Sequence, residues 1–335
     1  MAALYITSPQ AGAGKTLLCA GLGKRFKDQG KKVGFFKPLV ADIKATAEKA
    51  ADSDTAFIKR VLALKEPLDD LCPVISGEGS LSAQIKKAYD RVAKDKDIVI
   101  VEGVWRQRPG GKAIEAACEM AAALEARVIV VDGYSTELVK TRPADKYQAF
   151  GEHLLGVVVN KVPQSQMETA REMDGAVLGV IPEDRTLLSL TVAELAERIE
   201  GKIINDAGKS AELVENYMLG ALGVDSGLDY FGRKLDKAVV VRSERPDMQL
   251  AALETSTKCL VISGDGEPIY AVLQSAEDKD IPIIVTGGNT ASVIESIELA
   301  LGKTKFNQDQ KLPRLDEVME RLDFKALYKG LELAG

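Results

Sequence analysis

Histidine occurs once in this 335-residue chain, as His153, and cysteine four times, as Cys19, Cys72, Cys118 and Cys259. The cysteines are scattered with no paired spacing, which excludes a disulfide framework or a Cys/His zinc site and leaves them as reduced core or helix residues. No apolar run approaches the ~20 residues needed to span a bilayer. The N-terminus also lacks the basic segment, apolar stretch and small-residue cleavage site of a secretory signal, so a soluble, cytoplasmic protein without membrane contact is expected. Positive charge is in deficit as well. A net charge of -6 excludes a broad nucleic-acid-binding surface and leaves room only for a local basic cleft holding small anions.

What is present is length and apolar content, 46% of residues, enough for two domains at roughly 100–200 residues each. Up to about residue 182, short β-branched runs alternate with longer amphipathic segments, as in a parallel sheet with crossover helices. Strands are predicted at ALYIT, KVGFFKP, DIVIVEG, ARVIVVDG, LLGVVVNKV and AVLGVIP. Gly30 is placed to stop the first helix in a left-handed turn. Pro182 and two acids end the pattern, and Thr191 and Glu194 stand at capping-box spacing for a new helix. A second alternating region then includes helices at AELVENYMLGAL, PDMQLAALETS, IYAVLQSAEDKD and NTASVIESIELAL, with strands between them. The expected division is 1–189, 190–303 and a helical tail over 304–335 serving packing or oligomer contact. The fold class is α/β: a P-loop, doubly wound, mostly parallel sheet followed by a smaller α/β domain.

The stretch SPQAGAGKT joins the first strand to the first helix. Gly12 and Gly14 lack Cβ atoms, so their backbone can adopt unusual dihedrals and close its N–H groups on phosphate oxygens. Lys15 brings positive charge to the β- and γ-phosphates, Thr16 offers a hydroxyl to Mg²⁺, and the helix points its positive end at the anion. Gly12, Ala13, Gly14, Lys15, Thr16 and Leu17 are therefore the expected nucleotide-binding stretch. The usual G-x-x-x-x-G-K-[ST] spacing would put glycine at position 9, where Pro9 stands.

The loop resembles the longer, altered loop of dethiobiotin synthetases, in which Ser8 takes the place of a glycine. Further pieces resemble that family in the same chain order over roughly residues 1–185. FFKPLV is similar to its Lys-Pro strand end and contributes Lys37; DSDTAF contributes Asp54; VIVEGV contributes Glu102; VVVNKV resembles the adenine-reading strand end and contributes Asn160. The resemblance implies ATP rather than GTP, a Mg²⁺ ion held by Thr16 with Asp54 or Glu102, and a dimer. Read from the residues alone, Asp54 is equally a helix cap, Asp132 is a second acid in the same kind of place as Glu102, and Asn160 is also an ordinary turn residue. His153 is assigned a structural role. Where the family has a glycine-rich turn after the acid, this chain reads EGVWRQRPGGK. Trp105 is in that turn, and Arg106 and Arg108 either clamp a phosphate or carboxylate or form a solvated loop. With Lys37 they are the candidate catalytic residues.

The second half resembles the DRTGG domain through RSERPDMQLAALET, with Ser243 and Glu244 in place of the usual glycine and aspartate. A dethiobiotin-synthetase-like domain followed by this one resembles the N-terminal region of long bacterial phosphotransacetylases, and the acetyltransferase domain of those enzymes is expected to be absent. The strand ends VRSERPD, SGDGEP and TGGNTAS either present N–H groups to a small anionic metabolite or merely cap helices and make turns. The resulting expectation is a regulatory ATP- and Mg²⁺-binding protein. Its alternatives are an ATP-dependent ligase that uses Lys37 to orient a carboxylate or carbamate, and a scaffold that has lost nucleotide binding.

Overall fold

The computed structural model describes residues 1–40, 53–75, 80–103, 113–173, 175–205, 208–220 and 227–333. Six apolar runs become the strands of one sheet: β1 (Ala2–Thr7), β2 (Val33–Phe36), β3 (Ile98–Glu102), β4 (Arg127–Gly133), β5 (Leu154–Val162) and β6 (Val177–Pro182). Their order is β2-β3-β1-β4-β5-β6, with every neighbouring pair parallel. Every residue of β3 is buried, which explains why these strands read as continuous apolar runs rather than as alternation. The strand order reverses at β1: β2 and β3 lie to one side, β4, β5 and β6 to the other. Ligand crevices in such sheets open at the carboxyl ends of strands at that reversal. The loop from Ser8 to Gly14 leaves β1 at that end.

Helix α1 (Lys15–Asp28) starts directly after Gly14, whose φ of 107° is left-handed, and it stops at Gly30, φ 77°, where the Lys31 N–H returns to the Phe26 carbonyl. Three further helices of the same unit are α2 (Ser53–Val61), α3 (Leu81–Ala93), capped by Ser80, and α4 (Ala113–Ala123).

The chain divides into two compact units, residues 1–183 with 305–335 and residues 184–304. In the second, α5 (Val192–Arg198) begins with the Thr191/Glu194 capping box. Its sheet contains β7 (Lys202–Ile203), β8 (Asn216–Leu219), β9 (Lys237–Arg242), β10 (Thr257–Ser263) and β11 (Ile283–Thr286). The order is β7-β11-β10-β9-β8, parallel throughout except for the edge strand β7. Helices α6 (Pro246–Leu253), α7 (Tyr270–Asp278) and α8 (Thr290–Gly302) complete it. The helix predicted over residues 211–222 is a correction: its described part is extended, and β8 pairs in register with Lys237–Val240. Met218 joins one hydrophobic core while Tyr217 and Leu219 pack on the other. Both faces of β8 are thus covered by apolar groups, and that erased the alternation that marks a strand.

The tail folds into the first unit as α9 (Pro313–Met319) and α10 (Phe324–Gly330). Leu315, Met319 and Leu327 are buried. A Cβ on Gly21 of α1 would stand 2.4 Å from the Met319 sulfur, so the glycine lets α9 approach.

Candidate functional site

The carboxyl ends of β1 to β5 bring most of the sequence-expected residues together. At the loop, the hydroxyl of Ser8, where a glycine is usual, donates to the Gln10 carbonyl at 2.8 Å and accepts from the Gln10 N–H at 3.1 Å. Gly12 has φ 71°. Gly14 is required twice over, by its φ of 107° and because a Cβ there would sit 2.3 Å from Asn160 Nδ2. Lys15 opens α1 half-buried. Burial pushes its pKa down, opposed by the charge of Glu102. Its ammonium has no hydrogen-bond or ion-pair partner among the described residues.

Thr16 and the acids form one cluster. The Thr16 hydroxyl lies 3.2 and 3.3 Å from the two Glu102 oxygens. Lys37, just past β2, places Nζ 3.3 Å from Glu102 Oε1 and 3.2 Å from Asp54 Oδ2. Lys37 and Glu102 are 8% and 3% exposed at the side chain. Asp54 sits in the first turn of α2, and its Oδ1 is buried with no hydrogen-bond partner among the described residues. Glu102 is followed by Gly103 because a Cβ there would come within 2.4 Å of the Tyr5 ring. No group of three or more His, Cys, Asp or Glu side chains among the described residues is arranged to hold a metal unaided. A hydroxyl, two carboxylates and phosphate oxygens with water remain a suitable donor set for Mg²⁺.

Asn160 is buried at the end of β5, where its Nδ2 donates to the Ala13 carbonyl at 2.7 Å and its Oδ1 accepts from the Lys161 N–H at 2.8 Å. It therefore touches the loop and, among the described residues, keeps one amide N–H and one lone pair for another group. Asp132 stands apart from the Thr16 cluster. Its carboxylate takes the Lys146 ammonium at 2.8 Å, the Tyr147 hydroxyl, and Gln10 Nε2 at 3.1 Å. Gln10, Lys146 and Tyr147 have no motif spacing in the sequence; only the folded chain brings them together. The His153 ring lies 3.0 Å from the Ala126 carbonyl. Trp105, Arg106 and Arg108 lie outside the described residues.

In the second unit, the strand-end loops pack on one another. Asn289 caps α8 through the Ser292 N–H, and Arg245 clasps Asp247. Ser263 and Thr290 share a hydroxyl contact at 2.9 Å, and a Cβ on Gly266 would lie 2.8 Å from Ser243 Cβ. A polar cleft of about 420 Å³ opens instead at the amino ends of the strands, beside Asp236, Ser256, Lys258 and Lys279.

Residues 2–190 match a family described as AAA domain, and residues 194–300 match the DRTGG domain. The chain belongs to this AAA-domain family. A phosphate acetyltransferase of Pseudomonas aeruginosa is 28% identical over 284 residues, covering 75% of this AAA-domain chain and 40% of that protein. An ATP-dependent dethiobiotin synthetase of Caldicellulosiruptor saccharolyticus is 29% identical over 116 residues, 31% of this chain and 48% of the synthetase. The chain spans about half or less of the length of these curated relatives. Among solved structures, the CBS and DRTGG domains of the regulatory region of Clostridium perfringens pyrophosphatase align at TM-score 0.31 with 15% identity, over 46% of this chain and 59% of that one, too loosely to inform the site. The AAA-domain chain thus joins a P-loop, dethiobiotin-synthetase-like part to a DRTGG part, as in the matched region of phosphate acetyltransferases.

Proposed function

We propose that this AAA-domain chain binds ATP with Mg²⁺ at the phosphate loop and acts as a cytoplasmic sensing or regulatory protein whose DRTGG part takes a small anionic metabolite or docks a partner. The observation that carries nucleotide binding is Lys15, a half-buried ammonium without a protein partner among the described residues, at the start of a helix and behind two left-handed glycines. Such a cation needs an anion, and the N–H groups of Gly12 to Leu17 complete the cradle. Thr16, Glu102 and Asp54 would hold Mg²⁺, and Asp54 Oδ1, without a hydrogen-bond partner among the described residues, is the atom that fits it. When bound, Mg²⁺ would neutralise charge on the terminal phosphates. Asn160 would read the base with the N–H and lone pair it keeps. In any phosphoryl transfer, Lys37, with Arg106 and Arg108, would stabilise charge on the transferred group. The likeness to dethiobiotin synthetases also favours a homo-oligomer.

Regulation is preferred over synthesis because Lys37 is held between two carboxylates rather than presented to a substrate acid. The rival reading, an ATP-dependent ligase, rests on the synthetase likeness. ADP release from ATP and Mg²⁺, measured with and without bicarbonate and a diamine, separates the two. Turnover that is slow and indifferent to the diamine is expected; diamine-dependent ADP release would replace the sensor with the ligase.

A further inference from the structure

Asp132 closes β4 beside the loop, its side chain 2% exposed, with both oxygens occupied. Oδ2 takes the Lys146 ammonium at 2.8 Å and the Tyr147 hydroxyl, both from the segment just ahead of β5, and Oδ1 takes Gln10 Nε2 at 3.1 Å. Gln10 is thereby held twice, its backbone by the Ser8 hydroxyl and its side chain by Asp132. Gly133 allows the approach, since a Cβ there would stand 3.1 Å from Gln10 Nε2. Three residues on, the Ala13 carbonyl is held by Asn160 from the neighbouring strand. The loop is thus tied at residue 10 by β4 and at residue 13 by β5.

We propose that Asp132 is a positioning residue for the nucleotide: backed by Lys146 and Tyr147, it holds Gln10 and so fixes the first half of the phosphate loop in the shape that receives phosphate. This rests on the nucleotide reading above and assigns Asp132 a role other than holding metal. A carboxylate already accepting from an ammonium, a phenol and an amide would have to release them to ligate a cation, whereas Asp54 keeps an oxygen without a hydrogen-bond partner among the described residues. The Lys146 charge also offsets the carboxylate, so the tether places little net negative charge beside an incoming phosphate. The Ser8–Gln10 turn and the Asp132 contact together supply the restraint that a glycine-led loop obtains from its own tight turn.

Gln10 is exposed apart from this contact, so Gln10→Ala tests the tether without threatening the fold, and Asp132→Asn and the double variant complete a cycle. Two readings are taken on the full chain: hydrogen exchange of the amides of residues 10–14 without nucleotide, and ATP affinity with Mg²⁺ and with EDTA. Faster exchange in each single variant is expected, together with an affinity loss of about fivefold to tenfold that persists in EDTA and does not multiply in the double variant. Unchanged exchange would overturn the tether. Faster exchange with unchanged affinity, or losses that multiply, would overturn the positioning role. A loss in Asp132→Asn that disappears in EDTA would make Asp132 a metal partner and also overturn it. A wild-type chain that binds no nucleotide would overturn the parent reading and the positioning role with it, while the exchange data would still decide whether the tether exists.

Discussion

Lys37 is the residue on which the charge balance of the first unit turns. It is nearly buried between Asp54 and Glu102, and removing one member of a buried ion cluster typically costs about 3–5 kcal/mol, because the partners are left desolvated without compensation. Lys37→Met is therefore expected to lose about that much stability in urea denaturation without Mg²⁺, and to recover part of it when Mg²⁺ is added. An equal loss with and without Mg²⁺ would separate the acids from any cation site. Lys237 gives a second test of a buried cation. It has no exposed surface, and its ammonium donates to Thr255 Oγ1 at 2.9 Å and the Ser256 carbonyl at 2.7 Å. Burial lowers its pKa from 10.5 to about 8, with Asp236 opposing. Between those values the unfolded chain binds more protons than the folded one, so this residue's contribution to stability rises with pH from 8 to 10.5. Lys237→Met is expected to flatten that rise, and equal slopes for both proteins in denaturation across this range would contradict it. At this scale legibility followed locality. Lys15 and Thr16 could be picked out because the glycines and helix start that mark the loop are their neighbours in sequence, whereas the contact of Thr16 with Glu102 is made only by the fold. Asp132 could be seen as an acid at a strand end, but its saturation by Lys146 and Tyr147 depends on how the chain folds back before β5.

Among elements, parallel strands were legible where an apolar run ended in turn residues, as at IVIVE before Gly103. The strand at Asn216–Leu219 was not, because cores on both of its faces make its spacing pass for helical. The tail was expected to be helical and forms α9 and α10, but its destination on α1 is a tertiary fact no local signal carries. Its contacts divide sharply in weight. Leu315 is fully buried, so Leu315→Ala is expected to cost about 2–5 kcal/mol in chemical denaturation. The Lys24–Asp316 pair at 2.8 Å is solvent-exposed, and Lys24→Ala should cost no more than about 1 kcal/mol. The reverse order would mean that the tail is held by charge rather than by packing.

At the scale of the molecule, the two alternating regions were divided in the sequence at residue 189/190, and the compact units divide after Glu183. The return of the tail to the first unit was hidden by its distance along the chain. No helix among the described residues is long and apolar enough to cross a membrane. The central claim is that the phosphate loop binds a nucleotide through Lys15. Calorimetric titration of the full chain with ATP and Mg²⁺, alongside a folded Lys15→Ala variant, tests it most directly. Saturable binding by the wild type and a loss of about a hundredfold or more in the variant are expected, given a half-buried cation meeting a multiply charged phosphate. Equal binding by the two proteins, or no binding by either, would contradict it.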